Sequence, residues 1–268
     1  MFERRNTIFT NAQCRAKYIY ISTVGETITR EGIESLFRAA ESLHADVVIS
    51  PPRMVKMSGE AKDKTWPVHW LIEELKLKDS TAFEGGDVQL FAVTNLLRGI
   101  LGSSASNLYR AEVLQRFPFR TDFGTAGDLA WGLEHAGEIR LAIVPQSFST
   151  FVFHPKSYAK SDYAVNDFNE KCLAVARGAL DRSASRTSVA LDHAKVQALS
   201  HELLLAWEKY LVEKQRVVQA KRSPVWWLSP AAWRAHRTRA ETFRALATLQ
   251  HNAMLELAAH VAHDSRSR

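Results

Sequence analysis

The spacing of apolar positions changes character once along this chain, near residue 160. Before that point short apolar runs alternate with amphipathic stretches. Tyr18 to Ser22 reads as a strand. From Arg30 to His44, Ile33, Leu36, Phe37, Ala40 and Leu43 fall on one face of a helix, and Thr29 is placed to cap it. Asp46 to Ile49 reads as a second strand, ended by Pro51 and Pro52 because proline cannot donate to a ladder. Residues 53–66 are polar and carry Gly59, so a loop is expected, and the apolar run Val88 to Val93 reads as a third strand. A helix is expected to begin near Asn107. Another starts at Gly127-Asp128, continues through Leu129, Leu133 and Ala136, and closes at Gly137. Ile139 to Val144 is then a buried strand, with one more before His154. Such alternation predicts an α/β sheet with helical cover.

Beyond Lys160 the strand signal is lost. Residues 163–180, 189–221 and 229–262 read as helices. Val196, Leu199, Leu203, Ala206, Tyr210 and Val217 stripe the second, and Phe243, Leu246, Leu249, Ala253 and Leu257 stripe the third. Pro224 and Pro230 bracket the turn between those two, which predicts an antiparallel helical hairpin. The chain thus divides into an α/β part, residues 1–160, and an all-α extension, residues 161–268, without internal repeats.

Composition narrows the class. A chain of 268 residues with 46% hydrophobic and 24% charged content can bury one good core and a smaller helical unit. Cys14 and Cys172 stand too far apart for a metal motif and read as buried thiols. No apolar run approaches the ~20 residues that span a bilayer, and the charged start is unlike a signal peptide. The expected location is the cytoplasm, with peripheral attachment to the inner face of the membrane as an extension of that reading. Charge is concentrated: Lys214, Arg216, Lys221, Arg222, Arg234, Arg237, Arg239 and Arg244 face one acid, Glu241, so residues 214–244 carry a surplus of seven positive charges against +6 for the whole chain. An anionic membrane surface or a partner protein fits that region, and nucleic acid is not expected because no reading motif accompanies the cations. Trp226 and Trp227 beside Lys221, Arg222 and Arg234 suit a membrane interface or an anionic glycan, or else pack the turn of the hairpin.

The order of several short motifs resembles the second half of a family 2 glycosyltransferase of the GT-A fold. Ala16-Lys17-Tyr18-Ile19-Tyr20-Ile21-Ser22-Thr23-Val24-Gly25-Glu26-Thr27-Ile28 is similar to the family's strand leading into its Asp-x-Asp segment, and Ala45-Asp46-Val47-Val48 to the strand that follows. Ser104-Ala105-Ser106-Asn107-Leu108-Tyr109-Arg110, then Gly127-Asp128 with Trp131, then Glu138-Ile139-Arg140-Leu141, and finally His154 follow the family's order over roughly residues 5–160. The resemblance implies a partial GT-A-like sheet that transfers a hexose from a sugar nucleotide to a glycan or lipid-linked acceptor. The alternative is a degenerate module that binds glycan, a membrane surface or a transferase partner without turnover. Gly127 replaces the family's Glu, and Thr23-Val24-Gly25 replaces Asp-x-Asp. The family's opening nucleotide-binding strand has no counterpart before Met1, so the donor half is expected elsewhere, or the reading frame is expected to begin upstream.

Each candidate residue has two readings. The resemblance implies Asp128 as the base that takes the acceptor's proton; on spacing alone it is a helix-capping aspartate, and Asp122 competes for either role. Ser103, Ser104 and Ser106 would form an acceptor wall, or cap the helix expected after them. Arg98 and Arg110 would face a diphosphate, because guanidinium pairs with phosphate oxygens two at a time, or lie exposed. The resemblance places Trp131 and Lys156 at the substrate. For Mg²⁺ or Mn²⁺ the chain retains Glu26 and His154, since hydroxyl, apolar and glycine side chains do not supply hard anionic oxygens.

Overall fold

The computed structural model describes residues 15–22, 26–62, 66–102, 104–153, 167–184, 191–222 and 225–266. Strand β1 (Tyr18–Tyr20) and a short β2 (Thr27–Ile28) lead into helix α1 (Arg30–Ser42). The Thr29 hydroxyl accepts from the Gly32 N–H at 3.0 Å, satisfying a free donor of the first turn as expected. Leu36, Ala39 and Ala40 turn inward from α1 onto β3 (Val47–Ile49). Then come β4 (Arg53–Lys56), α2 (Pro67–Leu75), β5 (Thr81–Phe83) and α3 (Gly85–Thr94). After a loop, β6 (Asn107–Arg110) runs directly into the short α4 (Ala111–Arg116). Helix α5 (Gly127–His135) precedes β7 (Leu141–Ile143) and β8 (Ser149–Phe153).

Five strands form the main sheet in the order β1-β6-β3-β7-β5, and β2-β8-β4 form a second. β3 and β7 pair in parallel, whereas β6 is antiparallel to both β3 and β1, so β1, β3 and β7 share one direction. One face of the main sheet, through Val48, Leu108 and Ala142, lies on α1. The other, through Val47, Ile49, Tyr109, Leu141 and Ile143, meets the larger core.

Three helices complete the chain: α6 (Phe168–Ala184), α7 (Leu191–Ala220) and α8 (Pro230–Arg266). α7 and α8 pack along one another as the expected hairpin. The hairpin also seats on α3. The Trp207 indole N–H donates to the Val93 carbonyl at 2.9 Å, and the Gln250 amide donates to the Thr94 carbonyl at 2.6 Å. Leu203, Leu204, Leu246 and Leu257 belong to the same apolar cluster as the sheet residues. The mixed α/β architecture with a helical extension is therefore the observed one.

Three elements differ from the sequence reading. Val88–Val93 is helical: every side chain from Val88 to Thr94 is buried, between the sheet and the hairpin, and a helix covered on all sides loses the periodicity that identifies it. Asn107 begins a strand rather than a helix, its backbone paired with Ile49 at the centre of the sheet. Arg53–Lys56 is a strand rather than a loop, paired with β8.

Candidate functional site

In open α/β sheets ligands bind outside the carboxyl ends of the parallel strands. Here that edge is formed by the ends of β1, β3 and β7 and by the start of the antiparallel β6. The backbone N–H of Ser50, just past β3, donates to the Ser106 carbonyl at 3.0 Å, which closes the edge at its centre. The Ser106 and Ser149 hydroxyls lie 2.7 Å apart and fasten the 3-10 turn Ser104–Ser106 to the start of β8. At the end of β1 the Tyr20 hydroxyl donates to the Ala105 carbonyl at 3.2 Å. Burial, and secondarily the Glu26 carboxylate nearby, raise the Tyr20 pKa.

Helix α5 lies against the face of the sheet through Trp131 and Tyr109, and its direction follows from three contacts. Its last residue, His135, stacks on Phe117 beyond the end of β6, with ring centroids 4.3 Å apart. The following turn touches Gly85, next to Phe83, which pairs with the first residue of β7. Its first two turns instead lie on the loop that leads to the Ser104–Ser106 turn, with Leu129 against Gly99 and Gly132 against Ile100 and Leu101. The amino-terminal turn of α5 therefore points to the carboxyl edge. Asp128 occupies that turn, half-buried, and its carboxylate accepts from the Leu129 N–H at 2.8 Å. One turn further on, Trp131 packs edge-on to Tyr109 of β6. Two residues from Tyr109, in the same direction along the sheet, comes Asn107.

Asn107 and Ser50 were not singled out by the sequence. Asn107 is fully buried and its amide donates to the Tyr109 hydroxyl at 3.1 Å. Its Oδ1, and the Oγ of the buried Ser50, have no hydrogen-bond partner among the described residues. A buried polar atom without a partner costs free energy, on the order of 1–3 kcal/mol. A polar residue opening the apolar strand Leu108-Tyr109 was the available signal.

The residues expected at the site separate into groups. Asp128, Glu26, Ser106 and the Arg98 loop all lie at the carboxyl edge. Ser106, however, is fully buried against Ser149 and offers no wall to a sugar. The Arg98 guanidinium lies over Trp70, 4.3 Å from its ring centre, and partial desolvation there lowers its pKa. Arg110 is at the opposite end of the sheet. It donates to the Ala45 carbonyl at 3.2 Å, pairs with Asp46 at 3.7 Å and reaches over Tyr18, so it fastens the far edge and does not face a diphosphate beside Asp128. Trp131 is fully buried, its indole donating to the Phe117 carbonyl at 2.6 Å; it is a core residue that positions α5 rather than a substrate contact. Asp122 is gripped by Arg120 through two hydrogen bonds of 2.9 and 2.8 Å, which lower its pKa and occupy both oxygens. Ser103, Lys156 and His154 lie outside the described residues, as does Thr23-Val24-Gly25, and the Ser104 side chain is likewise not described.

A divalent ion asks for several hard oxygen donors converging on one point. Among the described residues no three His, Cys, Asp or Glu side chains converge in that way, and Glu26 is the carboxylate that remains beside the replaced Asp-x-Asp.

Comparison with known protein families and with curated protein sequences finds no match. Among solved structures the chain is similar to two crystal structures of residues 1–349 of S. aureus TarS, one of them in complex with UDP. Sequence identity is 12% and 13%, and the TM-scores are 0.43 and 0.42; each match covers 93% of this chain and 69% of that one.

Proposed function

We propose that this chain acts as a glycosyltransferase-like protein, with Asp128 as the base for an acceptor hydroxyl. The observation that carries the reading is the placement of Asp128 in the first turn of α5, at the carboxyl edge of β1, β3 and β7, with the unpartnered Asn107 and Ser50 oxygens at the same edge. In an inverting transfer the carboxylate removes the proton from an acceptor hydroxyl. The oxygen forms its bond to the anomeric carbon as the bond from that carbon to the diphosphate breaks, and the nucleoside diphosphate leaves with the electron pair. A rigid helix start suits this role, because the Leu129 N–H fixes the orientation of the carboxylate. The donor is a hexose nucleotide and the acceptor a glycan or a lipid-linked glycan.

The test is transfer from UDP- and GDP-hexoses to glycan acceptors by the wild type and by Asp128→Asn, with folding followed by circular dichroism. Loss of a general base lowers turnover by about 10²–10⁴-fold. Undiminished turnover in a folded Asp128→Asn protein removes Asp128 from the chemistry. Sugar-nucleotide binding without turnover in the wild type assigns the chain to the non-catalytic module instead.

A further inference from the structure

The turn that joins α7 to α8 is built unlike the rest of the surface. Trp226 is held inward, stacked on His236 with ring centroids 5.3 Å apart and with the Lys221 ammonium 5.2 Å from its ring centre. The next indole faces out: Trp227 is 54% exposed, Trp233 is 65% exposed, and Val225 beside them is 54% exposed. The Trp233 indole N–H donates to the Trp227 carbonyl at 2.6 Å, which ties Trp233 to the turn. Lys221, Arg222, Arg234 and Arg237 are exposed around them. The turn also stands away from the body of the protein. α7 continues 13 residues from Trp207, its contact with α3, to Ala220, about 20 Å of helix. Residues 214–244 carry seven surplus positive charges against +6 for the whole chain, so the remaining residues are close to neutral and the positive field is centred on this end.

Large exposed indoles at the end of a projection gain little from water. The exposed cations beside them favour an anionic counterpart over an ordinary apolar interface, with Arg237 also pairing with Glu241 at 3.1 Å. A lipid headgroup layer supplies both environments: amphipathic indoles settle at the headgroup level, and Lys and Arg beside them contact lipid phosphates.

We propose that the α7–α8 turn docks this protein on an anionic lipid bilayer, Trp227 and Trp233 entering the headgroup layer and Lys221, Arg222, Arg234 and Arg237 meeting lipid phosphates. The inference stands apart from the chemistry at Asp128. The experiment is co-sedimentation of the full chain with vesicles of phosphatidylcholine alone and of phosphatidylcholine with phosphatidylglycerol, at low and high salt. Binding is expected with phosphatidylglycerol and not without it, and to weaken as salt rises. Glutamine at Lys221, Arg222, Arg234 and Arg237 lowers the partition constant by roughly fivefold per residue. Trp227→Ala with Trp233→Ala lowers it about tenfold or more and abolishes quenching of tryptophan fluorescence by brominated lipid. All four cations are on the surface, so the charge variant tests the proposal even if the tryptophan variant unfolds. No phosphatidylglycerol-dependent sedimentation overturns the proposal, as does equal binding by the charge variant, or binding to a soluble polyanion such as heparin with no binding to vesicles.

Discussion

His135 closes α5 in a mostly buried position between Phe117, Trp131 and the carboxylates of Glu134 and Glu138, with Arg182 facing it from α6. Burial is the largest influence on its pKa, and with Arg182 it outweighs the two carboxylates, so the pKa falls below its usual 6.5. The imidazole is neutral in the native state and takes up a proton on unfolding at mildly acid pH. Its contribution to stability is therefore complete above about pH 6.5 and is lost as pH falls through that value toward the lower folded pKa. Urea unfolding between about pH 7 and pH 5 should show stability declining with acid, and His135→Gln should flatten that decline. An unchanged slope in the variant would show that the ring is not protonated differently in the two states. At the same scale Cys172 is fully buried, its thiol pushed up to about 12 by burial, in keeping with the structural thiol expected from the sequence. Residues whose chemistry depends on neighbours distant in sequence were not legible. Arg110 is followed by a helix and looks free on paper, but antiparallel pairing of β6 with β3 carries it to Asp46 and Ala45. Trp131 matches a motif that implies substrate contact, yet it lies behind the edge, not on it.

Elements with one wet face were readable, and those with none were not. The Ile33 to Leu43 stripe and Thr29 fixed α1 because one side of that helix is exposed, and the two long stripes fixed α7 and α8 for the same reason. α3 is wrapped by the sheet and the hairpin, so an apolar run of helical length read as a strand. The short β6 followed at once by α4 concealed the change of period at Arg110. Contact between α3 and the turn after α5 depends on Gly85. A Cβ there would stand 2.4 Å from the Gly137 carbonyl oxygen, against backbone that cannot rotate away. Gly85→Ala should cost about 1–3 kcal/mol in urea unfolding. The turn that it displaces joins α5 to β7, so ligand binding beside Asp128 should weaken too. A variant as stable as the wild type would mean that the two segments separate freely.

At the scale of the whole molecule, the helical extension is a structural support for the α/β part as well as an appendage to it. Trp207 and Gln250 cap carbonyls at the end of α3, and His260 lies 2.7 Å from Asp87 in its first turn. α3 leads into the loop that carries Arg98, Gly99 and Gly102 to the carboxyl edge, where Gly102 packs on Trp66. The sequence announced the two parts and their order; that the second holds the first by its central helix depended on a helix that could not be recognised. At its other end the extension presents the tryptophan and arginine turn.

The central claim is that ligands enter at the carboxyl edge beside Asp128. Hydrogen–deuterium exchange of the intact protein with and without UDP- and GDP-hexoses measures that most directly. Slower exchange is expected across residues 99–107 and 127–131, with no change at Asp46 and Arg110 on the opposite edge. Protection at the Asp46–Arg110 edge alone, or none anywhere with every sugar nucleotide, would contradict it.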